Sequence, residues 1–240
     1  MKTPEISVVM PVYNERARLP EALARVARES YDMEIVIVDD GSSDGTRDWL
    51  RKLAAGRVRV PRFPRRSIVA CFHDRNRGKG AALRTGFARA RGRFVFIQDA
   101  DLEYDPADWA AMLAPMRSGN ADVVFGTRLA GGGAHRVHLF WHYLGNRFLT
   151  LVSNMCTNLN LTDMETGSKA FRRELLGRFR ISSDRFGVEP ELTAKFARLG
   201  CRIYEVPVSY HGRTYAQGKK ITWRDGIAAL WHIVRFRLFD

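Results

Sequence analysis

The chain has 240 residues, 45% of them apolar and 11% aromatic, which is enough for one α/β domain with a sizeable core and excludes disorder, collagen-like repeats and a disulfide-held miniprotein. Lys and Arg outnumber Asp and Glu by 39 to 26, a net charge of +13 carried by 32 Arg and only 7 Lys. That balance points to a partner bearing phosphate (nucleic acid, anionic lipid or a phosphorylated substrate), although coding bias toward Arg accounts equally well for scattered positions.

Short β-branched or aromatic runs alternate with stretches of helical periodicity. In chain order the pattern predicts a strand over 6–10 and a helix over 19–30 with Leu19, Leu23 and Val26 in register. Next come a strand over 34–38, a helix over 46–54, a strand over 67–72 and a helix over 79–90. A strand over 94–98 precedes a helix over 106–117, where Asp105 caps and Pro106 takes the first helical position, and a strand covers 121–125. Such alternation predicts a mostly parallel sheet with helices on both faces. Gly131, Gly132 and Gly133 then form a joint before an aromatic-rich helical stretch to about residue 156, with Phe140, Leu144, Phe148, Leu151 and Met155 at helical spacing. A helix over 188–199 stops at Gly200, and a strand spans 203–208. The tail over 223–239 is apolar at 223, 227, 230, 231, 234 and 238, with Arg224, Asp225, His232, Arg235 and Arg237 on its other faces. No repeat or linker divides the chain.

Cys71, Cys156 and Cys201 have neither disulfide-frame nor zinc spacing, and no leader or spanning segment is legible, so a protein of the cytosolic side is expected. Each predicted strand ends in a polar cluster: PVYNE at 11–15, DDGSSDG at 39–45, NRGKG at 76–80, DADLE at 99–103 and GTR at 126–128. In open α/β sheets the ligand crevice lies beyond the carboxyl ends of the strands, so five such clusters would line one crevice.

Asp99 and Asp101 flank one small residue and repel unless a cation compensates them. A hard divalent ion, Mg²⁺ or Mn²⁺, does this while taking further ligands from substrate phosphates, with Glu103 in range to contribute. Asp39 and Asp40 stand where an acid bonds a nucleotide's base or ribose, while Asp44 or Ser43 caps the next helix. NRGKG resembles a phosphate loop with Lys79 as its cation, yet satisfies neither GxGxxG nor the P-loop pattern. His135, His138 and His142 could share a helix face as metal ligands, but their aromatic neighbours and the lack of acidic partners favour interfacial or structural histidines. Arg57, Arg59, Arg62, Arg65 and Arg66 read as a solvated loop or a contact for an anionic membrane. HGR at 211–213 and GKK at 218–220 form either a basic lid over a diphosphate or an exposed basic turn.

Together these motifs resemble the family 2 glycosyltransferases with the GT-A fold, and most of all polyprenyl-phosphate glycosyltransferases of the dolichol-phosphate mannose synthase type. VVMPVYNE at 8–15, IVIVDDGSSDGT at 35–46, NRGKGAAL at 76–83, DADLEYDP at 99–106, GTR, LTDMETGSKAFRREL at 161–175 and EVPVSYHGR at 205–213 fall in family order across nearly the whole chain. The resemblance implies a single GT-A domain: a nucleotide-binding half (1–128), an acceptor half with a basic lid (129–222) and an amphipathic tail helix (223–240). It implies nucleotide contacts at Pro11, Tyr13, Glu15, Val38 and Asp40, and metal ligands at Asp99 and Asp101, with Glu103 where synthases often carry Gln. Arg128 matches an arginine near the sugar and acceptor phosphates, Arg136 is the candidate for a second, and Arg213 and Lys220 match the lid on the donor diphosphate. The implied reaction is inverting, metal-dependent transfer from a nucleotide sugar to a polyprenyl phosphate at the cytosolic membrane face, by peripheral contact with anionic lipid. A hydroxyl acceptor is the alternative and needs a carboxylate base, for which Asp163, Glu189 or Glu191 are candidates. A nucleic-acid-binding module would also account for the charge, but no recognition motif is present.

Overall fold

The computed structural model describes residues 3–61, 67–131, 137, 139–185, 187–212 and 223–239. Seven strands form one sheet: β1 (Ile6–Val12), β2 (Met33–Asp39), β3 (Ile68–Phe72), β4 (Phe94–Ile97), β5 (Val123–Thr127), β6 (Lys169–Arg172) and β7 (Ile203–Pro207). Their order is β3-β2-β1-β4-β6-β5-β7, with every neighbouring pair parallel except those of β6. The central strands are continuous apolar runs because both faces are covered. Val8, Met10, Ile35, Ile37, Phe94 and Phe96 pack under α1 (Leu19–Val26), α2 (Thr46–Ala54) and α4 (Trp109–Arg117). The alternate residues Val9, Val36, Val38, Val95 and Ile97 pack under α3 (Lys79–Phe87) and α6 (Val188–Arg198), which α7 (Trp223–Leu238) joins through Ile233. The period of two along each strand thus sorts one sequence run into two cores.

The predicted elements are all present, with α1 and α3 ending a few residues early and a 3₁₀ turn, Pro106–Asp108, opening the α4 region. Asp105 caps that turn, accepting from the Ala107 N–H at 3.0 Å. The unpredicted strand is β6, which separates β4 from β5. It runs antiparallel, so its first residue, Lys169, lies opposite both Ile97 and Phe125 near the carboxyl ends of the parallel strands. The loop 161–168 is thereby delivered to the crevice edge.

The apolar stripe expected on α5 (Phe140–Thr157) does not face the core. Leu149, Val152 and Cys156 pack inward, whereas Phe140, Leu144, Phe148, Leu151 and Met155 are 45–76% exposed. α7 behaves alike: Ala229, Ile233 and Phe236 are buried, and Ile227, Trp231, Val234 and Leu238 are turned outward. No helix among the described residues is long and apolar enough to cross a membrane.

Candidate active site

At the β1/β2 end of the crevice, parallel register places Pro11 beside Val38 and Val12 beside Asp39. Pro11 and Tyr13 are partly exposed there, while Glu15 is buried and accepts from Arg18 at 2.9 Å. Asp39 is held by the Arg47 guanidinium at 2.8 Å. Two sequence expectations change at this point. The Val38 side chain is fully buried beneath α3, so only its main chain faces a ligand. The Asp40 carboxylate is buried and committed inside the protein: Oδ1 accepts from Arg77 N–H at 2.9 Å and meets His73 Nδ1 at 2.7 Å, and Oδ2 accepts from Gly78 N–H at 2.7 Å. NRGKG therefore spends these two amides on Asp40 and not on a phosphate. Its glycines serve close packing as well. Gly78 adopts φ +100°, and a Cβ there would lie 2.3 Å from Asp184 O.

After β4 the chain turns sharply through Leu102, whose φ of +68° is rare for a side chain of that size. Asp101 Oδ1 accepts from Glu103 N–H at 3.1 Å within this turn. Glu103 does not join a three-carboxylate metal site: its Oε2 accepts from the Tyr210 hydroxyl at 2.9 Å, and its carbonyl accepts from His211 N–H at 2.8 Å. A Tyr104–Tyr210 bridge completes this clip between the acidic turn and the segment after β7. Among the described residues no three His, Cys, Asp or Glu side chains gather to hold a metal. Asp99 and Asp101 remain, and they fit a hard divalent ion completed by phosphate and water. Asp99 already holds a cation, Lys79 Nζ at 2.9 Å. Gly167 keeps the space open, since a Cβ there would stand 2.6 Å from Asp99 Oδ2.

Lys79 Nζ also reaches Glu189 Oε1 at 3.1 Å, and Glu189 Oε2 accepts from Lys169 Nζ at 2.6 Å. Lys169 is fully buried and donates further to the Met164 and Thr166 carbonyls. Burial works against the Lys79 charge, but Asp99 and Glu189 more than offset it and raise its pKa. For Lys169 burial prevails and lowers the pKa, despite Glu189.

Toward β5, Arg128 is gripped by Asp163: its N–H and Nε donate to Oδ2 at 3.0 and 2.7 Å, and Nη2 to Oδ1 at 2.7 Å. Burial alone would raise the Asp163 pKa, but the Arg128 charge and hydrogen bonds hold it below the ordinary carboxylate value. The guanidinium lies 5.1 Å over the Tyr210 ring. Glu205 on β7 steadies the pair, accepting from the main-chain N–H of Thr162 and of Asp163. None of the three candidate bases stands ready to take a proton. Asp163 holds Arg128, Glu189 holds two lysines, and Glu191 is bound by Lys195 and by the N–H groups of Ser182 and Ser183. Arg136, Arg213 and Lys220, with Arg62, Arg65, Arg66, His135 and His138, lie outside the described residues.

Residues 7–179 match the family model described as glycosyl transferase family 2. The chain belongs to that family. It is a glycosyltransferase. An undecaprenyl-phosphate mannosyltransferase from Micrococcus luteus is 30% identical over 256 residues, covering 97% of this chain and 98% of that protein. An undecaprenyl-phosphate 4-deoxy-4-formamido-L-arabinose transferase from Pseudomonas aeruginosa is 32% identical over 218 residues, covering 89% of this chain and 60% of the relative. Glucosyl-3-phosphoglycerate synthase from Mycobacterium tuberculosis, crystallised with Mn²⁺, UDP and glucosyl-3-phosphoglycerate, superposes with a TM-score of 0.71 at 21% identity, covering 98% of this chain and 79% of its own. At that identity the likeness is one of fold, and the fold is GT-A.

The sequence missed Glu165. It lies in the loop before β6, its Oε1 buried without a hydrogen-bond partner. Burial first, and Glu189 second, push its carboxyl up to about 7. Its only signal was an acid two residues past Asp163 in a family motif.

Proposed function

We propose that this glycosyltransferase moves a sugar, with inversion, from a nucleotide sugar to a polyprenyl phosphate at the cytosolic face of an anionic membrane. One observation carries the acceptor: Arg128 is fixed by a buried carboxylate, while Asp163, Glu189 and Glu191 are each locked in ion pairs. A phosphate acceptor needs a cation to hold it and, with a second pKa of roughly 6, no base to deprotonate it. The similarity to an undecaprenyl-phosphate mannosyltransferase over nearly its full length supports the same reading.

In this mechanism Pro11, Tyr13 and Glu15 face the nucleoside, and the Val38 main chain contributes beside them. Asp40 acts one step back, by holding the loop that carries Lys79. Asp99 and Asp101 would hold Mg²⁺ or Mn²⁺, which would offset charge on the departing diphosphate. Arg213 and Lys220 are assigned to the diphosphate and Arg136 to the acceptor, beside Arg128, by family pattern. Arg128 orients the acceptor oxygen toward the anomeric carbon, and the diphosphate leaves from the opposite face. The outward stripes of α5 and α7, fringed by exposed Arg147, Arg235 and Arg237, suit a lipid interface that presents the acceptor.

A hydroxyl acceptor is the second reading, favoured by the unpaired Glu165. The two are separated by incubating the protein and Mg²⁺ or Mn²⁺ with undecaprenyl phosphate and labelled sugar nucleotides. Metal-dependent label in the organic phase is the expected result. Donor hydrolysis with no lipid product would move the assignment to a hydroxyl acceptor.

A further inference from the structure

We propose that Glu165, together with Asn146, forms a subsite for hydroxyl groups of the transferred sugar and so selects among nucleotide sugars. The proposal rests on the donor reading above. Two acceptor oxygens beside the Arg128–Asp163 pair are buried and lack a partner: Glu165 Oε1 and Asn146 Oδ1. The orientation of the Asn146 amide is fixed by chemistry, because its Nδ2 donates at 3.1 Å to Asp163 Oδ1, a carboxylate that only accepts. Asn146 Oδ1 is therefore an acceptor without a donor, as is Glu165 Oε1. Buried polar atoms are nearly always paired, and leaving one unpaired costs about 1–3 kcal/mol. The missing partners must bring O–H or N–H groups, and a pyranose carries several hydroxyls.

Placement agrees with this chemistry. The charged groups that act on Glu165 are Glu189, Lys169, Arg128 and Asp163. Glu189 is joined through Lys79 to Asp99. Glu165 lies in the loop between Asp163, which grips the arginine assigned to the acceptor phosphate, and Gly167, where a Cβ would stand 2.6 Å from Oδ2 of Asp99, the carboxylate assigned to the donor diphosphate. The sugar must cross that interval. A carboxyl near neutrality there accepts two hydroxyl bonds once ionised, so the subsite strengthens as pH rises through about 7.

Calorimetry with UDP, GDP, their glucose and mannose conjugates, and deoxy analogues of each tests the proposal on the intact chain. In the parent, removing the recognised hydroxyl from the preferred donor should weaken binding at least about 10-fold. E165Q should lose a similar factor on the intact donor and no longer distinguish the analogue, while binding free UDP or GDP within about 2-fold of the parent. The advantage of the sugar nucleotide over the free nucleotide should grow from pH 6 to pH 8 in the parent and stay flat in E165Q. If circular dichroism shows E165Q unfolded, E165D replaces it, and weakened sugar binding with unchanged nucleotide binding supports the subsite. Undiminished discrimination by E165Q overturns the proposal, as does an equal loss for nucleotide and sugar nucleotide. A collapse in kcat with donor affinity intact overturns it too, and makes Glu165 a proton acceptor. A parent that binds no nucleotide fails the donor reading itself, and the subsite falls with it.

Discussion

At the scale of single residues, the site is governed by how few carboxylates are left for a ligand. Asp99 and Asp101 follow an apolar strand of four residues, and the turn through Leu102 sets Asp101 to accept from the Glu103 N–H. Asp101→Asn removes one negative ligand with little change in shape. Metal-dependent transfer should fall at least about 100-fold, as expected when an ionic ligand to the ion that offsets leaving-group charge is lost. Wild-type rates at saturating Mn²⁺ would remove Asp101 from the metal site. Asp163 plays a different part. Asp163→Asn leaves the Arg128 guanidinium buried beside a neutral amide, a change that costs about 3–5 kcal/mol. For a chain of this length that lowers Tm by about 6–20 °C, and the KM for acceptor should rise more than the KM for donor. The pH dependence has a definite sign. The folded-state pKa of Asp163 is depressed, so its stabilisation is present above the ordinary carboxylate range and is lost as pH falls through the folded value. Parent and variant should therefore differ most at pH 7 and converge in acid, as followed by thermal unfolding.

Among the elements, β6 does most to build the site, because an antiparallel strand brings its preceding loop to the edge where the parallel strands end. It was not legible in advance. Lys169–Arg172 is four residues long, begins with a lysine, and offers no period to detect. Its buried lysine is tolerated only because Glu189 on α6 and two carbonyls surround it, a tertiary circumstance. The stripes on α5 and α7 were legible as apolar but not as to the direction they face. Each helix carries a second, smaller inward row, Leu149/Val152/Cys156 and Ala229/Ile233/Phe236, and that row takes the core. Phe148→Glu with Trp231→Glu tests the outward faces. Both side chains are more than half exposed, so unfolding should shift by less than about 1 kcal/mol. Each large apolar group withdrawn from a lipid interface costs roughly 1.5–3 kcal/mol, so sedimentation with anionic vesicles should weaken at least about 10-fold. Unchanged sedimentation by the folded double variant would refute a lipid-facing role.

For the whole molecule, the sheet divides the labour that the motifs announced. The β1–β4 half, with its DDGSSDG, NRGKG and DADLE turns, was readable because each polar cluster follows an apolar strand at once or within a few residues. The part after residue 128 was readable only through family likeness, since the surroundings of Arg128 depend on β6, on β7 steadying the 161–168 loop through Glu205, and on α6 supplying Glu189. Net charge belongs to this scale as well. If the chain works at an anionic surface, as proposed, its +13 charge gains attraction from every Arg near the interface, about 1 kcal/mol each, and the attraction falls off within a Debye length of roughly 10 Å at 0.1 M salt. Transfer to polyprenyl phosphate in phosphatidylglycerol vesicles should therefore slow by about 10-fold or more between 0.05 and 0.5 M NaCl. The rate in neutral detergent micelles should change far less, because there the acceptor reaches Arg128 without a charged surface to concentrate it. Equal salt sensitivity in the two media would place the charge effect at the active site and deny the surface any part in presenting the acceptor.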